Sequence, residues 1–174
     1  MALKKKPTQA FSAMNTPLPP VLTSQQTPVT PALRGLPVLR LGFRPFYLCA
    51  ALLAALAIPL WIAAFLGHLP LNPAVPPLLW HAHEMLFGFA IAVIVGFLMT
   101  AGKAWTGLAT PRGAFLGALV LLWLAARIAA LLAPYPVYAL LDGMFLPIVA
   151  VIFLELLLRA RNRRNLPLAG ILIL

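Results

Sequence analysis

The stretch Trp80–Gly107, WHAHEMLFGFAIAVIVGFLMTAGKAWTG, contains the features around which this chain is arranged. Two histidines and a glutamate follow the tryptophan within four residues, and no charged residue then occurs from Met85 to Gly102. An apolar run of about 20 residues can cross the hydrocarbon core of a membrane as a helix. Ionisable groups at the mouth of such a helix are costly to bury, so their presence there needs a structural or functional reason.

The composition of the whole chain indicates an integral membrane protein. Hydrophobic residues make up 63% of the 174 residues and charged residues 9%, whereas a soluble domain has about 45–50% apolar and about 25% charged residues. The formal net charge is +10, but the basic residues lie mostly between the apolar runs. We therefore predict a lipid bilayer as partner and no nucleic acid. The single cysteine, Cys49, excludes an internal disulfide.

The apolar runs predict an all-α fold, a polytopic transmembrane helix bundle. We expect four complete spans at about residues 45–66, 81–102, 114–133 and 137–158. A further apolar run from residue 166 is predicted to be the start of a fifth span that the sequence cuts short. The Pro-rich segment 1–40 is predicted to be a disordered tail, which leaves 41–174 as the transmembrane domain.

The distribution of basic residues predicts which side of the membrane each loop faces. Apart from Arg127, they lie in the tail and just after it at Arg44, in Lys103–Arg112 and in Arg159–Arg164. Loops rich in Lys and Arg face the cytoplasm, so the N-terminus and both basic loops are predicted to be cytoplasmic. His68 and His81 then face the opposite side.

Three ionisable residues, Glu84, Arg127 and Asp142, are predicted to lie at a similar depth, about 5–10 Å below the non-cytoplasmic interface. One interpretation is a structural ion pair of Arg127 with Asp142 that joins the third and fourth spans. The other is that all three line a polar cavity below the histidines. Glu155 lies near the cytoplasmic end and is predicted to pair with Arg159 one turn later.

The two histidines point in different directions if the helix includes both of them. At about 100° per residue, His81 and His83 lie some 200° apart, and they can chelate one metal only if Trp80–His83 is unwound. His81 shares its face with Met85 and with a stripe of small residues, Gly88, Ala92 and Gly96. This stripe indicates close helix packing or, alternatively, a surface for a flat macrocycle. Imidazole and thioether groups suit iron and copper, so the candidate metal ligands are His68, His81, His83 and Met85.

Two strings in the sequence resemble the NnrS family. They are LGFRPFYL at 41–48 and WHAHEMLFGFAIAVIVGFLMTA at 80–101, the latter followed by WTG at 105–107. The resemblance implies a multi-pass protein of the bacterial inner membrane that contains heme b and copper and acts in the response to nitric oxide. It also implies that His81, His83 and Glu84 lead the candidates for cofactor binding, with Met85 and Gly88 beside them. Arg44, in the first string, would contact an anionic group such as a propionate, but it lies across the membrane from the histidines.

These patterns leave three functional hypotheses open. The first is a haem- and copper-binding membrane protein that relieves nitric oxide stress. The second is a transporter or channel that uses Glu84, Arg127 and Asp142 as a polar relay. The third is a non-catalytic membrane scaffold for a metalloenzyme. We find no nucleophile motif, phosphate-binding loop or redox dithiol, so the sequence predicts no particular reaction.

Overall fold

The computed structural model describes residues 36–71 and 73–172, and every regular element within them is helical. Four of the helices are long and apolar enough to cross a membrane. They are α1 (Phe43–Phe65), α2 (Pro77–Thr106), α3 (Gly113–Leu132) and α4 (Tyr135–Arg159). The predicted all-α fold with four membrane-spanning helices is therefore confirmed.

The second helix begins at Pro77, earlier than the predicted start at residue 81. Proline is favoured at the first helical position because its fixed φ suits a helix and the N–H that it lacks would have no partner there. Trp80, His81 and His83 are consequently all helical. The unwound segment that would let the two histidines chelate one metal is not observed.

The predicted disordered tail lies outside the described residues except at its end. There Pro37–Arg40 forms a single 3-10 turn, and Leu39 packs against the core beside Gly117 of α3. Ordered structure thus begins before residue 41. After α4, the turn Arg163–Asn165 leads into a short helix, α5 (Leu166–Ile171), at the place where a fifth span was predicted to start.

Helix α2 lies at the centre of the bundle and contacts α1, α3 and α4. In its most apolar stretch 44% of the residues are buried, compared with 11% in α1. A large apolar core includes Phe46, Val95, Trp123 and Phe153, while a smaller one surrounds Trp80. Because α2 touches every other spanning helix, its orientation determines where its polar residues point.

The bundle has two ends of different character. At one end Asn162 contacts the Trp105 carbonyl, which brings the end of α2 close to the end of α4. We call this the basic end, because Arg44, Lys103 and Arg161 lie there. At the other end, the histidine end, the ring of His81 meets Trp61, and the Ala74 N–H donates to the Ala130 carbonyl at 2.8 Å.

Glycines allow α1 and α2 to approach each other closely. A Cβ on Gly96 would come within 2.8 Å of the Tyr47 ring, and a Cβ on Gly88 within 2.6 Å of Leu53. Ala92, between these glycines, is fully buried. The small-residue stripe of α2 therefore packs against α1, as small residues commonly do between membrane helices.

The contact between Gly42 and Met99 provides a test of this packing. A Cβ on Gly42 would lie 2.4 Å from the Met99 Cβ, an atom fixed by the backbone of α2. We expect Gly42→Ala to lower the free energy of unfolding by about 1–3 kcal/mol through overpacking. The measurement is reversible unfolding in mixed micelles of a mild detergent and sodium dodecyl sulfate.

Gly143→Ala is the matched control, because no atom lies within 4 Å of the Cβ that it adds in the middle of α4. This control should leave stability unchanged or raise it slightly, since alanine restricts the unfolded chain. Equal destabilisation by the two substitutions would contradict the proposed packing of α1 on α2.

Candidate functional site

The candidate site lies where α2 changes its helical form. Pro77–His83 is α-helical, Glu84–Ala90 forms a π-helix, and Ile91–Thr106 is α-helical again. Trp123 of α3 donates its indole N–H to the Gly88 carbonyl at 3.2 Å and so ties the π segment to a neighbouring helix. Segments of π-helix occur frequently at functional sites, because they alter the direction of the side chains.

Arg127 joins three helices through two carboxylates. Its Nε lies 3.1 Å from Oε2 of Glu84 in α2, and its Nη2 pairs with Oδ1 of Asp142 in α4. The contact with Glu84 is an ion pair without an aligned hydrogen bond. Glu84 is only 1% exposed and Arg127 only 7%. The guanidinium carbon also lies 5.5 Å from the centre of the Trp123 ring, within the range of a cation–π contact.

His83 extends this network to the surface of the bundle. Its Nε2 lies 3.2 Å from Oδ2 of Asp142, and its Nδ1 hydrogen-bonds the Tyr138 hydroxyl at 2.9 Å. Its ring also stacks on Phe87 with the centroids 4.7 Å apart. Both ring nitrogens thus have partners and the ring is held in place. The network thus contains two carboxylates, one guanidinium and one imidazole.

His81 lies on a different side of α2 from His83. Its ring stacks on Trp61 of α1, with centroids 4.2 Å apart and planes 17° apart. Its Nδ1 is buried and has no hydrogen-bond partner among the residues that the structure describes. Met85, one turn later, packs in the same apolar cluster as Trp61. His81 and His83 therefore point in different directions from α2, as the helix angle between them predicted.

Two other predicted site residues, His68 and Arg44, make no contact with this network. His68 is exposed in the loop after α1, and Arg44 donates to the Pro37 carbonyl at 3.0 Å at the basic end. Within residues 36–71 and 73–172, no group of three or more His, Cys, Asp or Glu side chains is arranged to hold a metal ion. The three predicted histidine ligands do not converge there.

A cavity of about 220 Å³ opens beside His83 and Asp142. Its remaining walls are apolar or bare backbone and comprise Phe87, Gly143, Phe145, Leu146, Pro147 and Leu172. Glu84 and Arg127 are not among its lining residues. Arg127 and Asp142 thus form the predicted ion pair, whereas only Asp142 of the three predicted cavity residues lines this cavity.

A family model described as NnrS protein matches residues 37–174, which is most of the chain. The chain belongs to the NnrS family. This confirms the resemblance seen in the two strings and supports a membrane protein of the nitric oxide response. Comparison with curated proteins gave no match, and comparison with solved structures gave none either.

Sequence reasoning missed two residues that hold the site of this NnrS protein together. Tyr138 precedes Asp142 by four residues, and Trp123 precedes Arg127 by four. Residues four apart share one face of a helix, so this spacing could have identified both. The π segment gave no comparable signal, because its residues are ordinary for a membrane helix.

The buried ion pairs of this NnrS protein can be compared with an exposed one in the same chain. Arg127→Met would leave the Glu84 carboxylate buried without its cation, so we expect a loss of about 3–5 kcal/mol in the free energy of unfolding. Arg159→Met breaks the exposed pair with Glu155 and should cost about 0.3–0.5 kcal/mol. The measurement is unfolding in mixed micelles, and similar small losses in both variants would contradict a buried network.

Proposed function

We propose that this protein binds heme b through His81. We further propose that the protein uses this haem in the nitric oxide response. Family membership and the state of the His81 side chain support the proposal. The Nδ1 atom of His81 is buried without a hydrogen-bond partner in the described part of the chain. Such an atom costs free energy, and a metal ion bound to it would remove that cost. When bound, the haem supplies an iron centre to which nitric oxide can bind.

The remaining residues of the site would orient His81. Trp61 stacks on its ring and restricts its rotation. Glu84, through Arg127, fixes the rotation of α2 about its own axis, which directs His81 towards α1. Since both nitrogens of His83 are engaged by Asp142 and Tyr138, we assign His83 to positioning rather than to metal binding.

The other predicted ligands fit less well. Gly88 is covered by Leu53, Glu84 and Arg127, so a macrocycle would have no free surface there. Met85 offers a thioether one turn after His81, and these two donor types suit copper. The described residues add no further donors to form a copper site with them. For this part of the chain we therefore place haem first among the two cofactors that the family resemblance implies.

The haem assignment is tested by the absorption spectrum of the purified protein. We expect a Soret band in the wild type, its loss in His81→Ala, and its retention in His83→Ala and in His68→Ala. Unfolding of each variant is measured in parallel, because His83→Ala should lower stability by removing contacts with Asp142 and Tyr138. A folded His81→Ala protein that keeps its Soret band would overturn the assignment.

A transporter is the second candidate, supported by one observation. A continuous series of polar contacts reaches the cavity beside His83. It consists of Tyr138, His83, Asp142, Arg127 and Glu84 in that order. Such chains of ionisable groups form proton relays in membrane transporters. A wild-type protein that lacks haem, and that shows proton flux abolished by Asp142→Asn, would support this candidate over the first.

We further propose that the protein lies in a bacterial inner membrane with its basic end in the cytoplasm, as the positive-inside rule predicts. In a Cys49→Ser background, single cysteines are introduced by Gly67→Cys at the histidine end and Arg112→Cys at the basic end. A membrane-impermeant maleimide added to intact spheroplasts should label the Gly67→Cys variant but not the Arg112→Cys variant. Labelling of the Arg112→Cys variant alone would show the opposite orientation.

A further inference from the structure

Three arginines at the basic end have no acidic partner in the structure. The chain has only three acidic side chains. Glu84 and Asp142 pair with Arg127, and Glu155 pairs with Arg159. Within the described residues, no ion pair or hydrogen bond engages the side chains at positions 161, 163 and 164. Among the described residues, these three side chains therefore have no acidic group that offsets their charge.

One of these arginines occupies a backbone position that usually belongs to glycine. Arg161 follows the last turn of α4 with φ 54°, in the left-handed region. Its N–H donates to the Leu158 carbonyl at 3.0 Å, and the Asn162 N–H donates to the Leu157 carbonyl at 2.9 Å. These two bonds define a Schellman motif, in which glycine is favoured because it has no Cβ to strain.

The end of α1 shows the same motif with glycine in the equivalent place. There the Gly67 N–H donates to the Ala64 carbonyl, the His68 N–H donates to the Ala63 carbonyl, and Gly67 has φ +77°. Helix α4 thus keeps an arginine where α1 has glycine. A residue other than glycine that is held in the left-handed backbone region is a candidate for a functional role.

Two neighbouring cavities place these arginines beside apolar side chains. The first, of about 290 Å³, is lined by Arg161 and Arg163 together with Leu157, Leu158 and Leu166. The second, of about 400 Å³, is lined by Arg164, Trp105 and Asn165. Asn162 belongs to both cavities, and its side-chain amide donates to the Trp105 carbonyl at 3.3 Å. The two cavities are consequently neighbours at the basic end of the bundle.

We propose that these two cavities bind the phosphate head group of an anionic phospholipid. A guanidinium matches phosphate in both charge and geometry, since it can donate two parallel hydrogen bonds. Tryptophan favours the depth of the lipid head groups, and Leu158 and Leu166, which are not buried, would contact the beginning of the acyl chains. Basic pockets between membrane helices are suited to anionic head groups. Free phosphate shares the charge of this ligand but would leave the apolar walls without a partner.

The Arg161→Gly variant tests the proposal because it should have two opposite effects. The protein is placed in nanodiscs of phosphatidylcholine with or without phosphatidylglycerol, and the Tm is measured in each. Without phosphatidylglycerol, Arg161→Gly should raise the Tm by roughly 2–4 °C, because glycine relieves the left-handed strain. The rise in Tm that phosphatidylglycerol gives to the wild type should fall at least about twofold in the variant.

Arg112→Gln is the matched control, since it removes one positive charge from the same end of the bundle but lines neither cavity. It should keep the full rise in Tm with phosphatidylglycerol. Equal losses in the two variants would show general attraction to a charged surface and overturn the site. The proposal would also be overturned if phosphatidylglycerol did not raise the Tm of the wild type. A third arm adds inorganic phosphate to phosphatidylcholine nanodiscs, and a rise of the same size there would overturn the assignment to a lipid.

Discussion

The ion pairs that Arg127 makes with Glu84 and Asp142 hold the histidine end of this bundle together. A charge in the membrane interior is costly unless it is paired, so the three side chains can be buried only together. Because they come from α2, α3 and α4, their pairing fixes how these helices are rotated relative to one another. The positions of His81 and His83 follow from that rotation.

The two histidines consequently have different surroundings although only one residue separates them. His83 lies on the side of α2 that faces α4, where Asp142 and Tyr138 engage both of its nitrogens. His81 lies towards α1, where Trp61 covers its ring and its Nδ1 has no described partner. His83 is therefore part of the framework, while His81 has the buried nitrogen to which we propose that haem binds.

The sequence predicted those features that depend on periodicity and charge. Apolar runs of about 20 residues must be helical in lipid, because their backbone groups find no other partners there. Helix angles correctly separated His81 from His83, and the positions of Glu84, Arg127 and Asp142 along their spans indicated that they could meet. The early start of α2 at Pro77 was missed, since the second span was predicted to begin only at about residue 81. The π segment and the stacking of Trp61 on His81 depend on contacts between helices, which one sequence does not reveal.

If the buried network holds the helices in place, Glu84 and Arg127 must depend on each other inside the bundle. A double-mutant cycle with Glu84→Gln, Arg127→Met and the combined variant measures this dependence from unfolding in mixed micelles. We predict a coupling free energy of at least about 1.5 kcal/mol, with the double variant more stable than the sum of the single losses implies. Losses that add to within about 0.5 kcal/mol would show that the two residues act independently, and that result would contradict a bundle organised by their pairing.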